Sequence, residues 1–248
     1  MSCVLFSSGS SHIHRLDPRV RFVVTLILAF IIAVADNLMT LVWALALAAL
    51  FVVCARLAVY PVIRRLSHLN AFMFFLWLVL PWSVQGDTAL VLAGIPCTAE
   101  GLRLAMTITL KGNAIVLLFT ALVATIDPAH LGYTLKHLAL PDKLVHLFLL
   151  VIRYTDVIHE EYERIRNAMK ARAFKASFCG HTLMTFGYLV GLLLIRSIDR
   201  SERVLGAMKC RGFDGRFRIL KNLTLKIPDL LFVTVALCHA CVWIWMEF

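Results

Sequence analysis

The sequence predicts an all-α, polytopic membrane protein with about five transmembrane helices and a cytoplasmic helical segment between the fourth helix and the last. Of the 248 residues, 60% are apolar and 16% are charged, whereas soluble domains are roughly half apolar and roughly a quarter charged. Several apolar runs are long enough to cross a bilayer. Lysine and arginine collect at alternate ends of those runs, as the positive-inside rule requires.

Polar residues mark the ends of the first two helices. Asp17 is a good N-cap and Pro18 a good first helical residue, which predicts a helix over residues 19–35. No small-residue cleavage site follows this run, so we interpret it as a permanent anchor and not as a secretory signal. A polar Asp-Asn pair then predicts a tight turn into a second helix over about 38–55.

Three further spans follow. The basic, proline-containing stretch 55–68 predicts a loop, and the third helix covers about 69–85. A loop without lysine or arginine, QGDTALVLAGIPCTAEG, leads to the fourth helix over about 102–125. The last span covers about 228–246 and ends in two tryptophans that are typical of the aromatic belt at a membrane surface.

The charges at the helix ends set the orientation. The cations on one side of the crossings are Arg15, Arg19, Arg21, Arg56, Arg64 and Arg65, and the acids on the other are Asp36, Asp87, Glu100 and Glu247. Cationic flanks stay cytoplasmic. We therefore expect the N-terminus on the cytoplasmic side of the cell membrane and the C-terminus on the outer side. The predicted domains are a membrane domain (1–125), a cytoplasmic segment (126–227) and a last helix (228–248). The net charge of +10 is explained by this positive-inside bias and by attraction to anionic lipid headgroups, so it does not indicate nucleic-acid binding.

The segment 126–227 differs from the rest of the chain. It holds 17 of the 25 Lys+Arg and 9 of the 15 Asp+Glu, together with two apolar runs, 144–152 and 183–195. Both runs are shorter than the roughly 20 residues that a helix needs to cross the hydrocarbon. We therefore expect helices that lie under or against the membrane, beginning at the Asp-Pro pair 127–128 and again at Leu-Pro-Asp 140–142.

A repeated stretch is the most specific feature of that segment. ERIRNAMKARAF (163–174) and ERVLGAMKCRGF (202–213) match at seven of twelve positions. Apolar residues at three- and four-residue spacing predict a helix in each copy, ending in a small residue and a phenylalanine. An arginine between small residues is suited to reach into a groove and to pair bidentately with carboxylates. Two helix ends of this kind indicate that the chain binds two copies of one partner or two related subunits. The alternative is a pair of amphipathic helices whose cations face lipid headgroups.

These features resemble the transmembrane T component of energy-coupling factor (ECF) transporters, specifically the cobalt/nickel (CbiQ-like) type. Members of that family carry two Ala-Arg-Gly signatures, each at the end of a cytoplasmic coupling helix. The matching triplets here are Ala171-Arg172-Ala173, with Ala in place of Gly, and Cys210-Arg211-Gly212, with Cys in place of Ala. The resemblance extends to HRLDPRVR (14–21) and to residues 196–216, and it follows the motif order of essentially the whole chain.

The resemblance implies a non-catalytic transport subunit. It would hold two ABC-type ATPase subunits through the two triplets and pass their motion to a separate membrane subunit that captures the substrate. A small accessory membrane protein is a further expected partner. ATP would be bound by the ATPases, so no cofactor is expected on this chain. The surface for the capture subunit would include Leu144, Leu147, Leu150, Gly187 and Gly191. The two glycines allow close helix approach; the alternative is that they pack the protein's own helices.

Three functions remain open. The first is cobalt or nickel uptake, which rests on the resemblance around 196–216. The second is a T component shared among vitamin-capturing subunits. The third is an integral membrane enzyme acting on lipids, which would need clustered acid, base or metal residues. The acids Glu160, Glu161, Glu163 and Glu202 favour i,i+4 pairs with neighbouring cations instead, and no Gly-rich ATP-binding loop occurs.

Candidate metal ligands do not form a site. Cys238 and Cys241 share a helical face but lack a second pair to complete four ligands. His12 and His14, with Met1 and Cys3, lie on the predicted cytoplasmic side, so we predict no metal site. The scattered cysteines do not indicate a disulfide framework. Lys111 lies deep in the fourth helix and needs a partner that the sequence does not name.

Overall fold

The chain forms two helical units. The computed structural model describes residues 13, 16–84, 88–92, 95–137, 140–213 and 227–247. The first unit comprises residues 1–138 and 223–248, and the second comprises residues 139–222. The helices are α1 (Pro18–Val34), α2 (Leu38–Cys54), α3 (Val59–Ser83), α4 (Ala99–Leu122), α5 (Pro128–His137), α6 (Asp142–Ala171), α7 (Gly180–Cys210) and α8 (Ile227–Glu247). Two strands, β1 (Thr88–Leu92) and β2 (Ile95–Thr98), lie between α3 and α4.

The predicted helix starts are confirmed where a capping residue was the signal. The Asp17 carboxylate accepts the backbone N–H of Arg19, and Pro18 is the first residue of α1. The side chain of Asn37 accepts the N–H of Met39 and starts α2 directly after the predicted turn. The helices α5 and α6 begin at the predicted proline and Leu-Pro-Asp signals. The all-α prediction therefore holds, apart from one short hairpin.

The predicted loop at 55–68 is mostly helical, so that prediction is wrong. Only residues 55–58 separate α2 from α3, and Arg56 makes the turn in the left-handed region with φ of 51°. Pro61 is the third residue of α3, where a backbone N–H would have no partner within the helix. The proline is therefore tolerated inside the helix start, and the basic residues after it belong to α3.

The predicted cation-free loop contains a hairpin. Strands β1 and β2 pair antiparallel, with Leu92 opposite Ile95 at the turn. The hydroxyl of Thr98 then donates to the carbonyls of Pro81 and Val84, at 3.1 and 2.9 Å. This contact joins the end of α3 to the start of α4.

Helix α4 lies at the centre of the first unit and packs against α1, α2 and α3. Small and branched apolar side chains fill this core, among them Leu28, Ile32, Leu41, Ala44, Ala48, Leu118 and Leu122. The outward faces are also apolar: Phe30, Trp43 and Phe74 are exposed over 72%, 63% and 73% of their surfaces. A water-facing protein rarely exposes so much apolar surface, so these faces fit a lipid environment.

Within the described residues, three helices are long and apolar enough to cross a membrane: α3, α4 and α7. The helix α2 and residues 227–243 of α8 are apolar but shorter. The apolar run 183–195 is by itself too short to cross, and a crossing there would put the two repeats on opposite sides of the membrane. In the structure that run belongs to a continuous helix of 31 residues, so length alone does not exclude a crossing by α7.

Candidate functional site

The second unit consists of two long helices, α6 and α7, joined by residues 172–179. Near this connection the rings of Phe174 and Phe186 meet edge to face, with centroids 6.1 Å apart. Further along, Arg196 of α7 forms an ion pair with Glu161 of α6. These contacts hold the two helices together, with the first predicted signature at the connection between them and the second at the opposite end of α7.

The first signature forms a helix cap. Helix α6 ends at Ala171, and Arg172 is its C-cap residue. Ala173 takes the left-handed conformation, with φ of 57°. Its N–H donates to the carbonyl of Lys170, and the N–H of Phe174 donates to that of Met169. This pair of bonds is the Schellman motif, which satisfies carbonyls that the helix end would otherwise leave free.

The second signature has the same geometry. Helix α7 ends at Cys210, Arg211 is the C-cap residue, and Gly212 has φ of 78°. The N–H groups of Gly212 and Phe213 donate to the carbonyls of Lys209 and Met208. The two triplets are therefore equivalent structures, although the first carries alanine where a left-handed residue is usually glycine. That alanine costs about 1–2 kcal/mol in this conformation.

All six signature residues, Ala171, Arg172, Ala173, Cys210, Arg211 and Gly212, are exposed. Within the described part of the chain, neither Arg172 nor Arg211 makes a side-chain hydrogen bond or ion pair. A guanidinium in water with no internal partner keeps all five donors available for a planar acceptor such as a carboxylate. The caps thus present two equivalent, unengaged arginines.

Of the acids predicted to pair with neighbouring cations, Glu161 and Glu163 do so in the described structure, at i,i+3 spacing and not at i,i+4. Glu163 pairs with Arg166 at 2.7 Å, and Glu161 pairs with Arg164 at 3.6 Å as well as with Arg196. These ion pairs neutralise Glu161 and Glu163 along the helices.

The residues predicted to contact a capture subunit lie on both helices of this unit. Leu144, Leu147 and Leu150 are exposed on α6, and the last two line a cleft between α6 and α7 of about 840 Å³. On α7, Gly187 is exposed and Gly191 is half-buried. A Cβ atom added at either glycine would meet nothing within 4 Å. These glycines therefore have no packing role within the described structure.

Arg21, predicted as a cytoplasmic charge and as the last residue of the HRLDPRVR match, is buried in the first unit. Its side chain is 1% exposed. The guanidinium donates to the carbonyl of Leu122, at 2.7 Å, and to the hydroxyl of Thr125. Nearby in the chain, the N–H of Asp17 donates to the carboxylate of Asp229 at 2.8 Å. Arg21 thus ties α1 to the end of α4, and Asp17 ties it to the start of α8. An arginine inside an apolar span was the available signal.

Lys111 also has partners that the sequence did not name. Its ammonium lies 2.9 Å from the Asp36 carboxylate and 3.0 Å from the carbonyl of Ala33. The lysine therefore ties the middle of α4 to the turn between α1 and α2.

The metal candidates are not brought together. Cys238 and Cys241 are exposed free thiols, and Nδ1 of the neighbouring His239 lies 2.9 Å from the carbonyl of Val235. Met1, Cys3, His12 and His14 lie outside the described residues. Among the residues that are described, no three His, Cys, Asp or Glu side chains form a group able to hold a metal ion.

Cys179, the residue before α7, has an unusual thiol. Its sulfur lies 3.2 Å from the Ser177 hydroxyl and 3.3 Å from that of Thr182. Hydrogen bonding, first from Ser177 and then from Thr182, lowers the pKa of this exposed thiol from 9.0 to about 7. The pair of hydroxyls orders the start of α7, because Thr182 Oγ1 also accepts the N–H of Ser177.

The fold and the site together define a class: a polytopic helical membrane protein with a charged helical unit that presents two equivalent arginine caps. The chain matches the cobalt transport protein family CbiQ over residues 9–221, and it belongs to that family. It is a T component of the energy-coupling factor type, resident in a membrane.

Known relatives agree with this class. The energy-coupling factor transporter transmembrane protein EcfT of Heliobacterium modesticaldum is 29% identical over 252 residues, covering 94% of this chain and 93% of that protein. EcfT of Listeria innocua is 26% identical over 229 residues, 86% of each chain. An uncharacterized protein of Methanocaldococcus jannaschii is 29% identical over 144 residues, 57% of this chain and 53% of its own length.

Proposed function

We propose that this chain is a non-catalytic subunit that couples two ABC-type ATPase subunits to a membrane subunit that captures the substrate. The observation that carries the proposal is the pair of equivalent caps, each presenting an exposed and unengaged arginine. Two identical docking ends suit two copies of one partner or two related ATPases. ATP is bound by those partners, and this chain needs no cofactor.

The caps make each arginine a rigid docking element. The Schellman bonds fix the backbone around Arg172 and Arg211, so each guanidinium meets an acidic groove with little further ordering of the backbone. Carboxylates in that groove would accept two parallel N–H bonds from each arginine. ATP-driven approach of the two grooves would then pull on the ends of α6 and α7.

Motion of α6 and α7 would reach the capture subunit through their apolar surface. Leu144, Leu147 and Leu150 are exposed on α6, and Gly187 and Gly191 leave open space on α7. A neighbouring helix can approach closely at glycines four residues apart. This surface is the contact that we propose for the capture subunit.

We further propose cobalt or nickel as the cargo, because the matching family is described as a cobalt transport protein. Vitamin uptake through a shared T component is the second candidate, because the relatives named EcfT, which cover most of this chain, name no metal. Co-expression with candidate capture subunits and uptake of radioactive cobalt or of a vitamin separates the two. Cobalt uptake that needs this chain supports the first, and vitamin uptake without cobalt uptake contradicts it.

The docking proposal is tested by replacing both arginines. We expect R172A/R211A to lose co-purification with the ATPase pair by about tenfold or more, since each charge-assisted bidentate contact contributes more than a neutral hydrogen bond. The matched control R153A/K175A removes two exposed cations of the same unit and should retain the complex. If the first variant still assembles and transports like the unchanged chain, the docking proposal is wrong.

A further inference from the structure

The cleft between α6 and α7 has features that ATPase docking does not use. Apolar side chains of both helices line it, among them Leu150, Val151, Leu193 and Val204. Its volume of about 840 Å³ is within the range of pockets that take small amphiphilic ligands. Both helices belong to the second unit, so the cleft is a property of that unit alone.

Arginines line the same cleft. Arg196 is engaged by Glu161. Arg200 and Arg203 also line the cleft, and in the described part of the chain neither makes a side-chain hydrogen bond or ion pair. With Asp199 included, the cleft carries three arginines and two carboxylates, which leaves a surplus positive charge beside apolar walls. A ligand that fits both features is an anion with an apolar tail.

The position of the cleft along α7 identifies the type of amphiphile. The first part of α7 is apolar enough for a membrane, with mean hydropathy of 1.4 over 18 residues. Its charged part begins at Arg196. With both caps on the cytoplasmic side, as the proposed function requires, α7 lies against the membrane surface, where its basic side chains reach the lipid headgroups and its apolar side chains face the acyl chains. Arg200 and Arg203 are three residues apart, so they share one face of the helix.

We propose that this cleft binds an anionic phospholipid, whose phosphate lies between Arg200 and Arg203 and whose acyl chain lies along Leu150, Val151 and Leu193. The guanidinium groups supply planar paired donors for phosphate oxygens. The proposal does not depend on ATPase docking. Because Leu147 and Leu150 also belong to the proposed contact with the capture subunit, the lipid fills the cleft when that subunit is absent.

The test uses the purified full-length chain in detergent, without partners. Phosphatidylglycerol or phosphatidylcholine is added, and lipid adducts are measured by native mass spectrometry. We expect phosphatidylglycerol to bind at least tenfold more tightly than phosphatidylcholine. In R200Q/R203Q, binding of phosphatidylglycerol should fall roughly 30-fold, as two basic contacts to an anionic headgroup predict. The control K143Q/R153Q removes the same charge at exposed positions of α6 that do not line the cleft, and it should bind like the unchanged chain.

A second variant tests the apolar wall. Leu150→Ser removes no charge, so phosphatidylglycerol should bind several-fold more weakly while its preference over phosphatidylcholine persists. Circular dichroism and gel filtration establish that each variant is folded. Equal binding of the two lipids, or unchanged phosphatidylglycerol binding in R200Q/R203Q, overturns the proposal. Loss of the capture subunit from R200Q/R203Q with unchanged lipid binding would assign the cleft to that protein, and it overturns the proposal as well.

Discussion

At the scale of single residues, the alanine in the first cap is the clearest departure from what the backbone favours. Ala173 and Gly212 occupy equivalent left-handed positions, with φ of 57° and 78°. Glycine takes this conformation without a Cβ penalty. We therefore expect A173G to raise the free energy of unfolding by about 1 kcal/mol and G212A to lower it by a similar amount.

The melting temperature of the purified chain in detergent measures both effects. A168G, in the interior of α6, is the matched control and should lower the melting temperature, because glycine is a poor helix former there. A lower melting temperature for A173G would contradict the equivalence of the two caps.

Cys179 gives a pH-dependent prediction at the same scale. Its pKa is lowered to about 7, first by the Ser177 hydroxyl. The thiolate is the reactive form, so the alkylation rate should reach half its maximum near pH 7 and level off above it. In S177A the pKa rises toward its ordinary value, so the rate at pH 7 falls several-fold and the midpoint moves to higher pH.

Alkylation by iodoacetamide, followed by mass spectrometry in a variant that keeps Cys179 as its single cysteine, measures the profile. Ser201, whose hydroxyl donates to the carbonyl of Ile198, supplies the control S201A, which should keep the midpoint near pH 7. If S177A also keeps that midpoint, Ser177 does not activate the thiol.

At the scale of elements, the close approach of α3 and α4 depends on one glycine. A Cβ atom on Gly101 would lie 2.7 Å from the carbonyl oxygen of Leu80 and 2.8 Å from Cα of Pro81. Both are backbone atoms, so the helices themselves would have to shift. We expect G101A to lower the free energy of unfolding by about 2 kcal/mol.

Gly206 is the matched control, because a Cβ atom there meets nothing within 4 Å. G206A lies in the interior of α7 and should raise stability by up to about 1 kcal/mol. Thermal unfolding of both variants is the measurement. Equal effects of the two substitutions would mean that α3 and α4 do not approach as closely at Gly101 as described.

Features set by one local side chain, such as helix starts, could be predicted from the sequence. Features set by position within a helix or by contacts between distant elements could not. Asp17 and Asn37 start helices by accepting backbone N–H groups, which a sequence displays directly. Pro61 indicated a loop, but it lies in the first turn of α3, where its missing N–H costs no hydrogen bond within the helix. The ends of α6 and α7 were predictable from the repeat. The ion pair between Lys111 and Asp36 was not predictable, because it joins elements that lie far apart in the chain.

At the scale of the whole molecule, the proposed function requires both arginine caps to lie on the same side of the membrane. Helix α7 has 31 residues, about 46 Å at the usual rise, and its first part is apolar enough to cross. A crossing would put the ends of α6 and α7 on opposite faces. Two soluble ATPases that act together require both ends on one face, and the 17 cations of residues 126–227 favour the cytoplasmic one.

Single-cysteine variants decide between these arrangements. Cys179 directly precedes α7 and Cys210 is its last residue, and both are exposed free thiols. We expect a membrane-impermeant maleimide to label both from the cytoplasmic side alone and to label Cys97, between α3 and α4, from the outside. Labelling after solubilisation in detergent gives the full reactivity of each thiol. If Cys179 and Cys210 react from opposite sides, α7 spans the bilayer and the two arginine caps cannot serve one pair of ATPases.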